Sequence, residues 1–183
     1  MRRDPLPPDW KDDASAGLNS IASRADSLSR FLQAYTRLTK LPPPQKQDVD
    51  LGELVQRVVD LEPRLNVKAV PGPKTVIRAD GAQIEQALIN LVHNAVDAAL
   101  ETDGEVLIGW RENEDAVEIF VQDEGPGIMN PANLFVPFFT TKPEGSGIGL
   151  PLSRQIAEAH GGSLALTNLE SGKGAEALLR LPL

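Results

Sequence analysis

Asn90 and Asn94 stand four residues apart on a polar stripe that also holds Gln83, Gln86 and Asp97, in a segment otherwise rich in Ala and Leu. Asparagine is a poor helix-interior residue, because its amide competes for backbone hydrogen bonds. Two of them at this spacing place two amides side by side on one helix face. Amide oxygens suit a hard cation such as Mg²⁺, which keeps several waters and takes few protein ligands. Taken alone, a solvated helix face explains the stripe equally well.

Two glycine loops add to this. Asp123-Glu124-Gly125-Pro126-Gly127 follows an apolar segment; glycine there allows positive φ and close approach of backbone to a ligand. A carboxylate at such a strand end can accept a hydrogen bond from an exocyclic amine such as that of adenine. Gly145-Ser146-Gly147-Ile148-Gly149-Leu150 opens a predicted helix, so free N–H groups and the positive helix end face whatever sits there. That arrangement binds anions, phosphates included. No Gly-Lys-Ser/Thr follows the glycines, which excludes a Walker A loop. A loop, not a strand, precedes them, which excludes a Rossmann turn. Between the loops, Leu134 to Lys142 holds three of the five phenylalanines, Phe135, Phe138 and Phe139. A lid that docks apolar residues over a nucleotide explains them; so does a plain core loop.

These groups need a scaffold, and the pattern supplies one. Asp80, with Gln83 three residues on, reads as a capping box opening a helix over Gly81–Glu101. On its wheel Ile84, Leu88, Leu91, Ala95, Ala98 and Ala99 form the face that meets a sheet. Leu51–Leu61 carries a second apolar helical stripe, and a third helix runs from about Leu150 to His160 before Gly161-Gly162, a fitting C-cap. Strands are predicted at Asn66–Val70, Thr75–Arg78, Glu105–Arg111, Ala116–Gln122, Ser163–Thr167 and Ala175–Leu181, the last two as a hairpin. The expected fold class is α+β, a mixed sheet backed by about three helices on one face.

Ahead of this unit, after a frayed lead-in, a helix from near Ala14 carries Leu18, Ile21, Ala25, Leu28, Leu32, Tyr35 and Thr39 at alternating spacings of three and four. That is a heptad seam, and self-association explains it better than a helix lying on its own chain. Pro42, Pro43 and Pro44 stop the helix and make a stiff linker, dividing the chain into residues 1–44 and 45–183.

Composition excludes several classes. There are no cysteines and two histidines, His93 and His160, so thiolate chemistry and a histidine-rich metal site are absent. A formal net charge of −8 argues against nucleic acid. No stretch reaches the roughly 20 apolar residues of a membrane span, and a cytoplasmic location is expected, with the membrane anchoring of any parent left open.

Together the blocks resemble the histidine kinase branch of the gyrase, Hsp90, histidine kinase and MutL ATP-binding superfamily. The N box is similar to Asn90-Leu91-Val92-His93-Asn94-Ala95, and the first glycine box to Asp123 through Gly127. The F box is similar to Phe135 through Lys142, and the second glycine box to Gly145 through Leu150. The likeness runs from about Gln45 to the C-terminus, and the wording from Phe138 to Leu150 looks most like the nitrogen-regulation type of sensor kinase.

The resemblance implies a Bergerat-type two-layer sandwich that binds ATP and Mg²⁺. It implies that Asn94 ligates Mg²⁺, supported by Asn90, that Asp123 holds the adenine amine, and that Gly125 and Gly127 admit the purine. Lys142 then reaches the phosphates, Phe135 belongs to the lid, and Gly145, Ser146, Gly147, Gly149 and Leu150 form its phosphate-side base. The hydrolysing branches usually carry a glutamate one turn before the Mg²⁺ asparagine as general base; Asn90 stands there and cannot take a proton, which favours transfer to a protein. His93 reads as site-lining or structural, His160 as structural.

The first helix resembles the second helix of a dimerisation and phosphoacceptor domain, and the helix that normally carries the acceptor histidine is not in this chain. A piece that binds Mg²⁺-ATP without autophosphorylating alone is therefore expected, homodimeric in its parent and serving a response regulator. The rival readings are a non-catalytic, nucleotide-responsive binding module and an anti-sigma-type serine kinase.

Overall fold

The computed structural model describes residues 10–142, 145–170 and 172–183; the lead-in at residues 1–9 lies outside them. The first helix, α1 (Trp10–Thr39), starts four residues before the expected Ala14. Its seam faces solvent: Leu18, Ile21, Leu28, Leu32 and Tyr35 are all about half to two-thirds exposed, from 49% to 66%. Among the described residues this stripe is open to solvent, and α1 meets the rest of the chain at α4. No helix among the described residues is long and apolar enough to cross a membrane.

The prolines end α1, and the chain enters a short strand, β1 (Gln47–Asp50), which carries no periodic signal in the sequence. Asp50 then caps α2 (Leu51–Asp60) by accepting from Glu53 N at 3.2 Å. Leu51, Leu54, Val55 and Val58 on this helix are buried. The two short strands that follow, β2 (Val67–Val70) and β3 (Val76–Ala79), do not pair with each other. β3 pairs antiparallel with β1, and β2 runs parallel to β4 (Val106–Glu112).

The main sheet has the order β2-β4-β5-β7-β6, with β5 (Ala116–Asp123), β6 (Ser163–Asn168) and β7 (Ala175–Pro182). Only the β2–β4 pair is parallel, so the sheet is mixed, as expected. Alternation on β5 sends Val117, Ile119 and Val121 inward against the helices and leaves Glu118, Phe120 and Gln122 half-buried on the open face. The core lies between that inward face and α2, α3 (Gly81–Leu100) and α4 (Gly149–Ala159).

Asp80 caps α3 through Gln83 N at 3.2 Å. The capping box is only half formed. The Gln83 side chain leaves the polar stripe, is buried, and donates to Pro42 O at 3.0 Å. Asp80 Oδ2 meanwhile accepts from Gln45 N at 2.9 Å. His160, the C-cap of α4, is buried; its Nε2 accepts from Asp80 N at 3.0 Å and its Nδ1 contacts Ile156 O at 2.8 Å. Those partners require the neutral ring with its proton on Nδ1. His160 thus joins the start of α3 to the end of α4, which accounts for it structurally.

Candidate functional site

The exposed stripe of α3 is the floor of the site. Asn90 is half-buried against the start of α4: its Nδ2 lies 3.4 Å from both Gly149 O and Ser153 Oγ, and its Oδ1 accepts from Gln86 Nε2 at 3.4 Å. Ser153 is buried and donates to Gly149 O at 2.9 Å. Asn90 therefore fastens the second glycine box to α3. One turn on, Asn94 Oδ1 accepts from the Lys142 ammonium at 3.1 Å. An amide oxygen that already faces a cation is a hard donor of the kind that fits Mg²⁺.

One further turn along α3, Ala98 supports the first glycine box. A Cβ on Gly125 would come within 2.6 Å of the Ala98 Cβ, so only glycine lets the loop lie this close. Asp123 ends β5 and is 8% exposed. Its Oδ1 accepts from Gly125 N at 2.9 Å and from Ala175 N at 3.3 Å. Burial pushes this carboxyl above its usual range, and the two backbone N–H bonds only partly offset it. Oδ2 accepts no hydrogen bond among the described residues and is the oxygen open to a ligand donor.

Asn168, at the end of β6, braces the loop from the other side. Its Oδ1 accepts from Ile128 N at 2.6 Å and its Nδ2 donates to Ile128 O at 3.1 Å. Gly127 turns there at φ 80. Sequence reasoning passes over Asn168 and Ser153, because each lies in an element that reads as plain scaffold.

Residues 134–142 and the second glycine box close the remaining side. Phe138 adopts φ 66, uncommon for a bulky residue, and its N–H donates to Gly147 O at 2.9 Å, with Gly147 itself at φ 66. Phe135 packs against the core edge with the Arg154 guanidinium 4.9 Å from its ring centroid. Phe138 and Phe139 are exposed, at 37% and 48%. Gly145 and Ser146 are exposed and Leu150 half-buried. Ile148 provides no side-chain cap to α4, so the first-turn N–H groups of that helix stay open to an anion.

The fold thus gathers Asn90, Asn94, Lys142, Gly149 and, further along α3, Asp123 and Gly125. Phe135 is held apart on α4. His93 is half-exposed, with Nε2 3.5 Å from Glu62 Oε2. Arg64 and Glu62 also border this face, with Arg64 reaching Asp97 at 2.6 Å; nothing in a loop 33 residues from Asp97 announces that contact in the sequence.

A family model described as "Histidine kinase-, DNA gyrase B-, and HSP90-like ATPase" matches residues 79–183. Over 171 residues the chain is 34% identical to the sensor histidine kinase ZraS of Escherichia coli O157:H7, covering 88% of this chain and 37% of that protein. Among solved structures it resembles the catalytic domain of histidine kinase ThkA, 31% identical with a TM-score of 0.67, over 75% of this chain and 95% of that one. It also resembles full-length ShkA in complex with AMPPNP, 26% identical with a TM-score of 0.73, over 97% of this chain and 40% of that one. The chain spans about a third of the length of the curated relatives it matches.

Proposed function

Because the chain belongs to the histidine kinase-, DNA gyrase B- and HSP90-like ATPase family, we propose that it is the ATP-binding catalytic region of a two-component sensor histidine kinase. In this reading it passes the γ-phosphate of ATP to a histidine on a separate helix, and the phosphoryl group goes on to a response regulator. The observation that carries it is the convergence, along one face of α3, of Asn94 and Lys142 with a buried carboxylate, Asp123, that keeps one oxygen for a ligand. The relatives' names and the AMPPNP of the ShkA complex support the same nucleotide class.

The roles follow the geometry. Asp123 Oδ2 accepts from the adenine amine while the glycine turn at Gly125 and Gly127 lets the purine reach the backbone. Asn94 would hold Mg²⁺ through its amide oxygen, with Asn90 keeping the second glycine box seated on α3. When bound, Mg²⁺ neutralises charge on the phosphates. Lys142 and the open N–H groups at the start of α4 supply the remaining positive field, so that the chain contributes mainly positioning and electrostatics. Asn90 stands where a water-activating carboxylate would and cannot itself take a proton from water, which favours transfer to a protein over hydrolysis. The α1 seam is the homodimer surface in the parent, and residues 45–183 are the catalytic unit.

Calorimetric titration tests the site. Wild type binds ATP in a Mg²⁺-dependent manner, and Asn94→Ala weakens binding about tenfold in Mg²⁺, in line with a lost charge-assisted contact. A folded wild-type chain that binds no ATP would sink the reading. Labelled ATP plus a separate phosphoacceptor-helix polypeptide tests transfer: stable label on that polypeptide supports a kinase, and binding without label supports a nucleotide-responsive module.

A further inference from the structure

A string of alternating charges crosses the nucleotide face and ends on two of the site residues, Lys142 and Asn94. The Lys142 ammonium lies 2.5 Å from Asp97 Oδ2 and 3.1 Å from Asn94 Oδ1. The other Asp97 oxygen, Oδ1, takes Arg64 Nη1 at 2.6 Å. The remaining nitrogens of Arg64 are spent on the buried carboxylate of Glu62, at 2.9 Å from Nε and 2.7 Å from Nη2, and Glu62 also accepts from Arg64 N at 2.9 Å. Arg64 is therefore fixed in place by a bidentate fork, and it fixes Asp97 in turn.

The arrangement has two consequences for Lys142. First, the ammonium sits on the one amide oxygen assigned to a cation, so cation and lysine compete for Asn94. Second, its strongest partner is a carboxylate that cannot swing away, because Arg64 holds it. Burial pushes the Asp97 carboxyl up, but hydrogen bonds from Lys142 and Arg64 outweigh this and keep it below the usual carboxylate range. Asp97 is thus an anion at neutral pH, in place to hold Lys142.

We propose that Asp97 is a positioning residue for Lys142: it parks the ammonium on the face of α3, so that the phosphates of an incoming nucleotide must win Lys142 from a fixed carboxylate. This rests on the nucleotide-site reading. It adds that ATP affinity is set against an internal competitor, with Arg64 and Glu62 as the clamp that keeps the competitor in register.

The test is a double-mutant cycle on the full chain, titrated with ATP at fixed excess Mg²⁺. Asp97→Asn keeps the shape and removes the charge, and should tighten ATP binding roughly threefold to fivefold, the scale of a half-exposed ion pair. Asp97→Glu, which restores the charge, should return affinity towards wild type. In a Lys142→Met background Asp97→Asn should change affinity little, because the competitor's object is gone. Hydrogen exchange of the amides from Thr140 to Gly147 in nucleotide-free protein should rise in Asp97→Asn and not in Asp97→Glu. An equal gain from Asp97→Asn in the Lys142→Met background would mean simple repulsion of phosphates and overturn the proposal. Unchanged or weaker binding by Asp97→Asn would overturn it too. Absence of ATP binding by wild type overturns the nucleotide-site reading with it, whereas ATP binding indifferent to Asp97 overturns this proposal alone.

Discussion

Asp123→Asn should bind ATP about 100-fold more weakly than wild type, the cost of replacing a charged acceptor by a mismatched donor in a buried site, and yet unfold at a higher temperature at neutral pH. The binding loss follows from the geometry of one side chain. Oδ1 already accepts from Gly125 N and Ala175 N. An asparagine that keeps its oxygen there turns an NH₂ group towards the adenine amine, donor against donor. One that flips turns its NH₂ towards the two backbone N–H groups instead. With ATP bound, either orientation leaves a buried donor unpaired; without it, the first orientation keeps both backbone bonds and leaves the NH₂ on the open ligand side.

The stability gain follows from the same burial. The Asp123 carboxyl is held above its usual range by desolvation. Between the unfolded and the folded values the native protein therefore keeps a proton that the unfolded chain has released. Stability falls as pH rises through that interval and stays lower above it. Asparagine cannot ionise and escapes the penalty. Thermal melts across pH check this: the gap between variant and wild type should close on acidification. Titration with ATP and GTP checks the rest, because an NH₂ at this position favours a ring carbonyl over a ring amine. Weak ATP binding with a lowered melting temperature would instead mark Asp123 as a mere brace of the loop.

Gly174→Ala should cost about 3 kcal/mol or more, a fall of about 10 °C in melting temperature for a chain of this size. Gly174 has φ 81, and a Cβ there would fall 1.7 Å from the carbonyl oxygen of Asp123 and 3.0 Å from the Cα of Glu124. Both obstacles are backbone, so no side chain can turn aside. Gly172, two residues earlier, provides the control. It has φ 76, but its Cβ would meet nothing within 4 Å, so Gly172→Ala should cost only about 1 kcal/mol of backbone strain. Denaturant titration of the two variants separates the contact from the torsion. Because the displaced carbonyl belongs to Asp123, ATP affinity should fall in Gly174→Ala and hold in Gly172→Ala.

What could be read in advance depended on whether a signal was local. The α3 stripe, the Asp80 cap and the Gly161 turn each have their cause within a few residues, and all appear where expected. The glycine boxes could be read as sharp turns near a ligand, because glycine spacing reports backbone shape directly. β1 could not, since four residues with one buried side chain carry no period; only its pairing with β3 makes it a strand. Gln83 was misleading for a related reason: its amide belongs to the polar stripe by wheel position, but the linker at Pro42 arrives to cover it. The Glu62–Arg64–Asp97 string, assembled from a loop and a helix distant in sequence, was invisible for want of any pattern. Roles for Asn90, Asn94, Lys142 and Asp123 came from resemblance; the fold contributes their placement.

The burial of α2 decides where the molecule can be cut. The family match begins at Ala79, which invites excision of residues 79–183 as a minimal unit. That cut would discard Leu51, Leu54, Val55 and Val58, each at most 1% exposed. At about 1.5–3 kcal/mol for each buried side chain, the loss is on the order of 8 kcal/mol, comparable with the whole stability of an ordinary domain. It would also strip β2 from the edge of the sheet and uncover β4. A chain truncated at Ala79 should give no cooperative melt by circular dichroism, while one truncated at Gln45 should melt sharply. The stretch that the family model matches, residues 79–183, is thus expected to be shorter than the unit that folds.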